Sequence, residues 1–279
     1  TTMVVFPRFD PKEYLTAIAK YRATSLGGAP QLYGPLAELP EFSRMDLSGV
    51  KLAASGAAPL PRVVLDRMLS SFSGVVCEAY GCTECTMGAT ANPPDRSLIR
   101  PGSVGLPVFD TECKIVDLST GEELPPGEEG EVLIRGPQVM VGYWNRPEAT
   151  AEVLKDGWLH TGDIGKIDED GYLYITDRKK DLILYKGYNV YPREIEEVLY
   201  THPAVEAAAV VGKPDEKAGE IPVAFIQLKP GQSLAAEQIM EFANSQLAAY
   251  KKIREVHFVD QIPVSAAGKV LKRELREQL

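Results

Sequence analysis

Twice in the first hundred residues, a short apolar run feeds directly into a turn of small residues. Val50-Lys51-Leu52-Ala53-Ala54 runs into Ser55-Gly56-Ala57-Ala58-Pro59, and Val75-Val76-Cys77-Glu78-Ala79 runs into Tyr80-Gly81. The stretch between them, from Pro61 to Leu69, reads as a helix. Strand, small-residue turn, helix, strand is the sequence of an α/β layer structure. Such a sheet offers its ligand site at the carboxyl ends of its strands. That constraint puts the loops after Ala54 and Ala79 at a candidate site before any side-chain chemistry is considered.

The rest of the chain divides around this unit. Asp10-Pro11-Lys12-Glu13 is a helix start, with Asp10 as cap and Pro11 at the first helical position. Leu15, Ile18, Ala19 and Arg22 trace one face, and Gly27-Gly28-Ala29-Pro30 breaks the pattern. From about Pro101 the texture changes to short strands alternating with Gly and Pro turns, through 112–116, Thr120-Gly121-Glu122 and 131–135. Residues 171–176 add a strand, and Asp177-Arg178-Lys179-Lys180-Asp181 has the charge of a flexible linker. Beyond it, Ile195, Val198, Leu199 and His202 fall at helical spacing, strands are expected over 204–211, 222–228 and 256–259, and Ile239, Phe242, Ala243 and Leu247 line another helix. The expected domains are 1–100 (α/β), 101–177 (β-rich), a hinge at 178–180, and a compact α/β domain over 181–279.

Composition excludes several classes. The chain has 279 residues, 44% hydrophobic and 25% charged, with a net charge of −9. An acidic surface argues against nucleic acid as the main partner. No run of about 18 apolar residues is present, so no membrane span is expected, and no signal-like segment opens the chain. A cytoplasmic location is expected. Cys82 and Cys85 form a C-x-x-C spacing, which invites a redox or zinc reading. Zinc needs more ligands than this pair supplies, and His160, His202 and His257 are scattered. The expected state is four free thiols. Thr1 and the apolar run Met3-Val4-Val5-Phe6 suggest a cut through a larger protein.

Several residues carry candidate chemistry. Thr83 can donate to a phosphate oxygen, and Glu84 can hold magnesium, which prefers hard oxygen ligands; the bland alternative is a capped helix start. A small-residue loop such as Ser55-Gly56-Ala57-Ala58 lets backbone lie flat against a planar base, although most such loops are simply tight turns. Asp163, after Thr161-Gly162, suits a ribose diol, and Arg178 a ribose or phosphate. Gly187-Tyr188-Asn189 and Gly268-Lys269 are glycine-flanked spots in the last domain. A mobile loop presenting an ammonium group suits phosphoryl charge; the plain reading of Lys269 is one more surface lysine.

In order along the chain, five segments resemble motifs of one superfamily, that of acyl-CoA synthetases, peptide-synthetase adenylation domains and firefly luciferase. Tyr80-Gly81-Cys82-Thr83-Glu84 is similar to its Y-G-x-T-E motif. Tyr143, Asn145-Arg146-Pro147-Glu148 and Thr150 resemble its G-Y-x-x-x-P-x-x-T segment. Trp158, Thr161, Gly162 and Asp163 resemble W-x-x-T-G-D, Asp177-Arg178 with Lys186-Gly187 resemble the hinge and the glycine motif after it, and Pro263 to Lys269 resembles the terminal P-x-x-x-x-G-K.

The resemblance implies ATP, Mg2+ and CoA as cofactors, and a small-molecule carboxylic acid as substrate. It implies that Thr83 contacts the α-phosphate, that Glu84 binds magnesium, and that Gly56, Ala57 and Ala58 border an adenine on which Tyr80 stacks. Asp163 then holds the ribose with Arg178 nearby, and Lys269 bridges carboxylate and α-phosphate. Lys180 is the implied pivot, and Gly187 belongs to the thioester-forming arrangement. The implied reaction is acyl-adenylate formation followed by attack of the CoA thiol. Residues 185–192 are most similar to medium- and long-chain fatty acyl-CoA ligases and to aryl-CoA ligases. On this reading Cys82 and Cys85 sit beside the nucleotide and are not a redox pair. An acyl-AMP ligase and an inactive nucleotide-binding fragment are the alternatives. The family's Ser/Thr/Gly-rich phosphate loop does not occur between Thr1 and Tyr80. The expected fold is therefore a C-terminal portion only: a partial large domain (α/β layer plus small β subdomain), then a mobile C-terminal α/β domain. The missing N-terminal part is expected as a partner, without which adenylate is not made at a useful rate.

Overall fold

The computed structural model describes residues 2–58, 60, 62–71, 73–265 and 269–279. The chain divides into two compact units, Thr1–Thr161 with Gly165–Ile175, and Gly162–Ile164 with Thr176–Leu279.

The first unit begins with the α/β layer. The strands Ser25–Gly28, Leu52–Ser55 and Val75–Tyr80 pair in parallel, with Leu26 opposite Ala53 and Ala53 opposite Val76. Thr90–Ala91 and Leu106–Pro107 extend the sheet antiparallel. The helix Pro11–Tyr21 starts as its composition requires: the Asp10 carboxylate accepts from the Lys12 and Glu13 amides at 2.9 Å each. Pro30–Glu38, Pro40–Arg44 and Arg62–Ser71 are the other helices. Leu15, Ile18, Tyr33, Leu36, Phe42, Leu65 and Met68 pack against Ala53 and Val76 in one buried core. The Tyr33 hydroxyl is satisfied inside it by donating to the Ala54 carbonyl at 2.7 Å. Gly27-Gly28-Ala29-Pro30 is not a simple break. Its glycines end a strand, and Pro30 opens a helix at the position where its missing N–H costs nothing.

The expected partial α/β layer needs correction here. Residues 25–107 build a five-stranded sheet, and the helices beside it bury a core of their own. Apolar closure of this kind cannot be judged from where a motif first appears in a sequence.

A second sheet, built mainly from residues of this unit, runs in the order Leu173–Arg178, Trp158–Ile167, Gly130–Arg135, Glu112–Val116, with Leu154–Lys155 paired to Trp158–Ile167. Thr120-Gly121-Glu122 lies in the turn between two of these strands. There the Asp117 carboxylate accepts from the Ser119 and Thr120 amides and the Ser119 hydroxyl, which pull it down to about 2. The core of this sheet includes Ile115, Val132, Ile134, Leu159 and Leu173, together with Cys85 and Ala89. The segment after Tyr80 is thus anchored by apolar residues in the second sheet's core.

The second unit holds a sheet in the order Tyr188–Val190, Ile183–Tyr185, Gly219–Leu228, Val205–Asp215, with Glu255–Phe258 parallel to Gly219–Leu228. Helices Pro192–Tyr200 and Ala236–Asn244 bury Ile195, Leu199, Ile239 and Ala243 against Val210, Ala224 and Ile226. Ile183–Tyr185 and Tyr188–Val190 were not anticipated as strands. Lys186 (φ 50°) and Gly187 (φ 83°) form their two-residue turn. Two successive positive φ values give the turn whose twist suits a hairpin.

Candidate active site

The two small-residue loops meet at the carboxyl ends of their strands. Ser55 lies opposite Glu78, and the Gly56 amide donates to the Gly28 carbonyl at 3.2 Å. A Cβ placed on Gly56 would stand 3.4 Å from the Ala79 carbonyl oxygen, so the backbones of the two loops adjoin. Ala57 takes a left-handed conformation at φ 67°. The structure therefore brings Gly56 and its neighbours Ala57 and Ala58 beside the strand that ends in Tyr80. Glu78, to which the sequence assigned no role, is buried at 6% exposure. Its carboxylate accepts from the Leu60 amide at 3.3 Å and the Gly102 amide at 3.4 Å, tying three segments together.

Thr83–Cys85 is a single 3-10 turn following the strand Val75–Tyr80. Gly81 is obligatory for this path: a Cβ there would lie 2.3 Å from the Met87 carbonyl oxygen. Thr83 is exposed and Glu84 half-buried. The Tyr143 hydroxyl donates to Glu84 Oε1 at 2.7 Å, the Met140 amide donates to the Glu84 carbonyl at 2.7 Å, and the Thr86 hydroxyl donates to the Gln138 carbonyl at 2.7 Å. The bond to Glu84, aided by burial, pushes the Tyr143 phenol up to about 12, so at neutral pH it is a donor. Thr150 holds Tyr143 in turn, accepting from its amide at 2.9 Å while donating to the Arg146 carbonyl at 2.8 Å. These contacts give a physical content to the segment 142–150. Tyr143 and Thr150 carry no role in the sequence beyond their motif positions, because nothing in the linear order joins Tyr143 to a carboxylate so far upstream.

Magnesium fits this loop in one specific way. It takes one or two carboxylates and completes its shell with phosphate oxygens and water. Glu84 and the Thr83 hydroxyl are hard oxygen groups of that type. Among the described residues no group of three or more His, Cys, Asp or Glu could hold a metal alone. The loop is suited to a magnesium that arrives with a nucleotide.

In the second unit, Arg178 Nε lies 3.3 Å from Asp163 Oδ1, and the Asp163 side chain is 13% exposed. Gly162, before it, has φ 70°. The expected loose linker is instead held at both ends. Asp177 is buried and accepts from the Arg178 and Arg193 amides at 2.7 and 2.9 Å, and burial pushes its carboxyl up from the usual range. Asp181 is buried and accepts from Arg276 at 2.8 Å. Arg178, Lys179 and Lys180 between them are exposed. Lys269 is exposed; beside it Val264 and Val270 form an antiparallel bridge, and the Ser265 amide donates to the Lys269 carbonyl at 2.8 Å. Gly268, Ala266, Ala267 and Pro59 lie outside the described residues.

Comparison with known proteins puts this site in context. The model of the AMP-binding enzyme family matches residues 1–144, and that of its C-terminal domain matches residues 194–269. A long-chain-fatty-acid–CoA ligase of Bacillus subtilis is 44% identical over 99% of this chain and 49% of its own length. A feruloyl-CoA synthase of Amycolatopsis is 39% identical over 99% of this chain and 56% of its own length. The ATP-bound structure of MatB from Rhodopseudomonas palustris superposes with a TM-score of 0.91 at 38% identity, over 98% of this chain and 54% of that one. The chain spans about half the length of the curated relatives it matches.

These matches correct the expectation of a C-terminal portion only. The large-domain model is matched from residue 1, the C-terminal-domain model follows, and the likeness runs over 98–99% of the chain. The expectations of a fragment lacking the phosphate loop, and of a missing N-terminal part as partner, are withdrawn with it. They rested on the absence of a Ser/Thr/Gly-rich loop between Thr1 and Tyr80 and on the chain's first residues, and neither carries such a conclusion. No helix among the described residues is long and apolar enough to cross a membrane. With a model matched over residues 1–144 of 279 and a second over 194–269, the chain belongs to the AMP-binding enzyme family.

Proposed function

We propose that this chain serves an ATP-dependent carboxylic acid–CoA ligase acting on medium- or long-chain fatty acids through an acyl-adenylate. The observation that carries the reading is the Thr83–Glu84 turn at the carboxyl end of a parallel strand, with its carboxylate aligned by Tyr143. The fatty-acid preference is supported by the likeness to ligases named for long-chain fatty acids.

In this reading Thr83 donates to the α-phosphate, and Glu84 directs magnesium, which supplies neutralisation of phosphate charge. Gly56, Ala57, Ala58 and Tyr80 border the adenine, and Asp163 with Arg178 holds the ribose. The acid's carboxylate attacks the α-phosphorus, pyrophosphate leaves, and Lys269 stabilises the charge spreading over the phosphoryl oxygens. The CoA thiol then attacks the activated carbonyl and AMP leaves, with Gly187 at the thioester-forming face and Lys180 as pivot. The proposed division is 1–100, 101–177, 178–180 and 181–279.

The test is a panel of fatty and aromatic acids with ATP, Mg2+ and CoA, following pyrophosphate and thioester separately, beside calorimetric titration with AMP. Fatty-acid-dependent pyrophosphate and acyl-CoA support the reading. Pyrophosphate without thioester would make the chain an acyl-AMP former, and turnover of aromatic acids alone would move it to the aryl ligases. Absence of both AMP binding and turnover would overturn it.

A further inference from the structure

Cys82 and Cys85 bracket the two residues of the proposed phosphate and magnesium site, and their side chains meet. Their Sγ atoms lie 3.5 Å apart. The Cys85 amide donates to the Cys82 carbonyl at 3.2 Å, closing the turn, and the Cys82 amide donates to Cys85 Sγ at 3.1 Å. A hydrogen-bonded four-residue turn holds its end Cα atoms within about 7 Å. A disulfide needs about 4.4–6.8 Å between Cα atoms, so bringing the sulfurs into bonding range asks for side-chain rotation and little backbone movement. The two thiols are also unequal in access. Cys82 is half-buried, whereas Cys85 is 0% exposed in the core of the second sheet. Of the two residues only Cys82 has exposed surface, so it is the one that a reagent from solution can meet.

Against the expectation, drawn from the resemblance, that these cysteines are not a redox pair, the geometry points to a reversible dithiol–disulfide site at Cys82 and Cys85 that, when oxidised, encloses Thr83 and Glu84 in a small covalent ring. The oxidant class is a low-molecular-weight disulfide of the glutathione type. The contact with Cys85 holds the Cys82 thiol above its ordinary range, so it is the minor thiolate form of Cys82, the residue with exposed surface, that attacks one sulfur of that disulfide, and one thiol leaves with the pair of electrons from the broken S–S bond. Cys85, losing its proton, attacks Cys82 Sγ of the mixed disulfide, and the second thiol leaves. The protein loses two hydrogens and the reagent is reduced to two thiols; excess thiol reverses both steps. The disulfide itself depends only on the turn. Its effect on catalysis rests on the proposed roles of Thr83 and Glu84, since the ring withholds from them any adjustment that nucleotide binding requires.

The experiment incubates the folded protein with excess oxidised glutathione, traps free thiols by alkylation, and maps the cysteines by mass spectrometry. The expected product is a Cys82–Cys85 link with the loss of two hydrogens, erased by dithiothreitol, while Cys77 and Cys113 stay alkylatable after unfolding. Cys85→Ala is expected to stop at a stable glutathione adduct on Cys82. Cys82→Ala is expected to leave Cys85 unmodified, because Cys85 is buried; this variant serves if Cys85→Ala fails to fold. Full alkylation of both cysteines after oxidation, a stable adduct on Cys82 in the unsubstituted protein, or a link from Cys85 to Cys113, which packs against the same core, would overturn the site. Pyrophosphate release is read on the same samples: oxidation is expected to lower it at least tenfold and dithiothreitol to restore it, with Cys82→Ala insensitive. A mapped link with unaltered turnover overturns the switch. A mapped link in a protein that turns over no acid even when reduced counts against the ligase reading and leaves the disulfide standing.

Discussion

Glu84 and Lys269 are both proposed to act on phosphate, yet the chain holds them in opposite ways. Glu84 sits in a turn whose neighbour Cys85 is buried, and both its carboxylate and its carbonyl accept hydrogen bonds from the segment 140–143. Lys269 is exposed, and its described hydrogen bonds are at its backbone: its carbonyl accepts from the Ser265 amide at 2.8 Å and its amide donates to the Ser265 hydroxyl at 3.2 Å. A group that must be aligned before substrate arrives is fixed by packing and directed bonds; a group that acts by charge alone can be carried at an exposed position.

That contrast makes graded predictions. Replacing Lys269 by Ala should lower acid-dependent ATP–pyrophosphate exchange by about 10²–10³-fold while moving stability by no more than about 0.5 kcal/mol. Thioester formation from supplied acyl-adenylate should fall much less. Equal losses in both half-reactions would remove Lys269 from the adenylation step. Gly81→Ala works the other way. Its Cβ has no room beside the Met87 carbonyl, so the turn must shift, at about 1–3 kcal/mol by analogy with overpacking. A denaturation midpoint equal to that of the unsubstituted chain would show that the close approach does not constrain the turn.

Tyr143→Phe removes one donor from a carboxylate, worth about 1.5–3 kcal/mol when the acceptor is charged and shielded and less for this partly exposed pair. We expect a modest loss of stability and a raised Mg2+ requirement. The sign of any pH effect follows from the Tyr143 phenol being held up at about 12 against an ordinary value of 10. It keeps its proton, and hence its bond to Glu84, throughout the neutral range and loses the bond only as pH climbs toward that upper value. The difference between Tyr143 and Phe should therefore be flat between about pH 6 and pH 9; a slope there would mean that another group sets it. Arg178→Ala should also be mild for stability, under about 1 kcal/mol, because its pairing with Asp163 is half in solvent. A larger drop in a melting experiment would make the pair structural, and unchanged AMP affinity would remove Arg178 from the ribose.

Local features were legible where neighbours in sequence suffice. Asp10 before Pro11, the apolar runs over 50–54 and 75–79, and the helical spacing of Ile195 and Leu199 all act over a few residues, and each appears in the structure. Ser25–Gly28 was missed because two of its four residues are glycines, and only pairing with Leu52–Ser55 makes it a strand. Asp177 and Asp181 read as a loose, charged linker. Their burial depends on Arg193 and Arg276, which approach only after the second unit has folded.

What the sequence determined by itself was the order of the motifs, and with it the family, because each motif is a short string whose meaning survives without coordinates. Which side chains meet was decided by tertiary structure. Tyr143 reaches Glu84, Glu78 ties Leu60 to Gly102, and the two loops adjoin at Gly56 and Ala79. Hydrogen bonds act over about 3 Å, and residues far apart in the chain come within that range only when the sheets and their cores have brought them there.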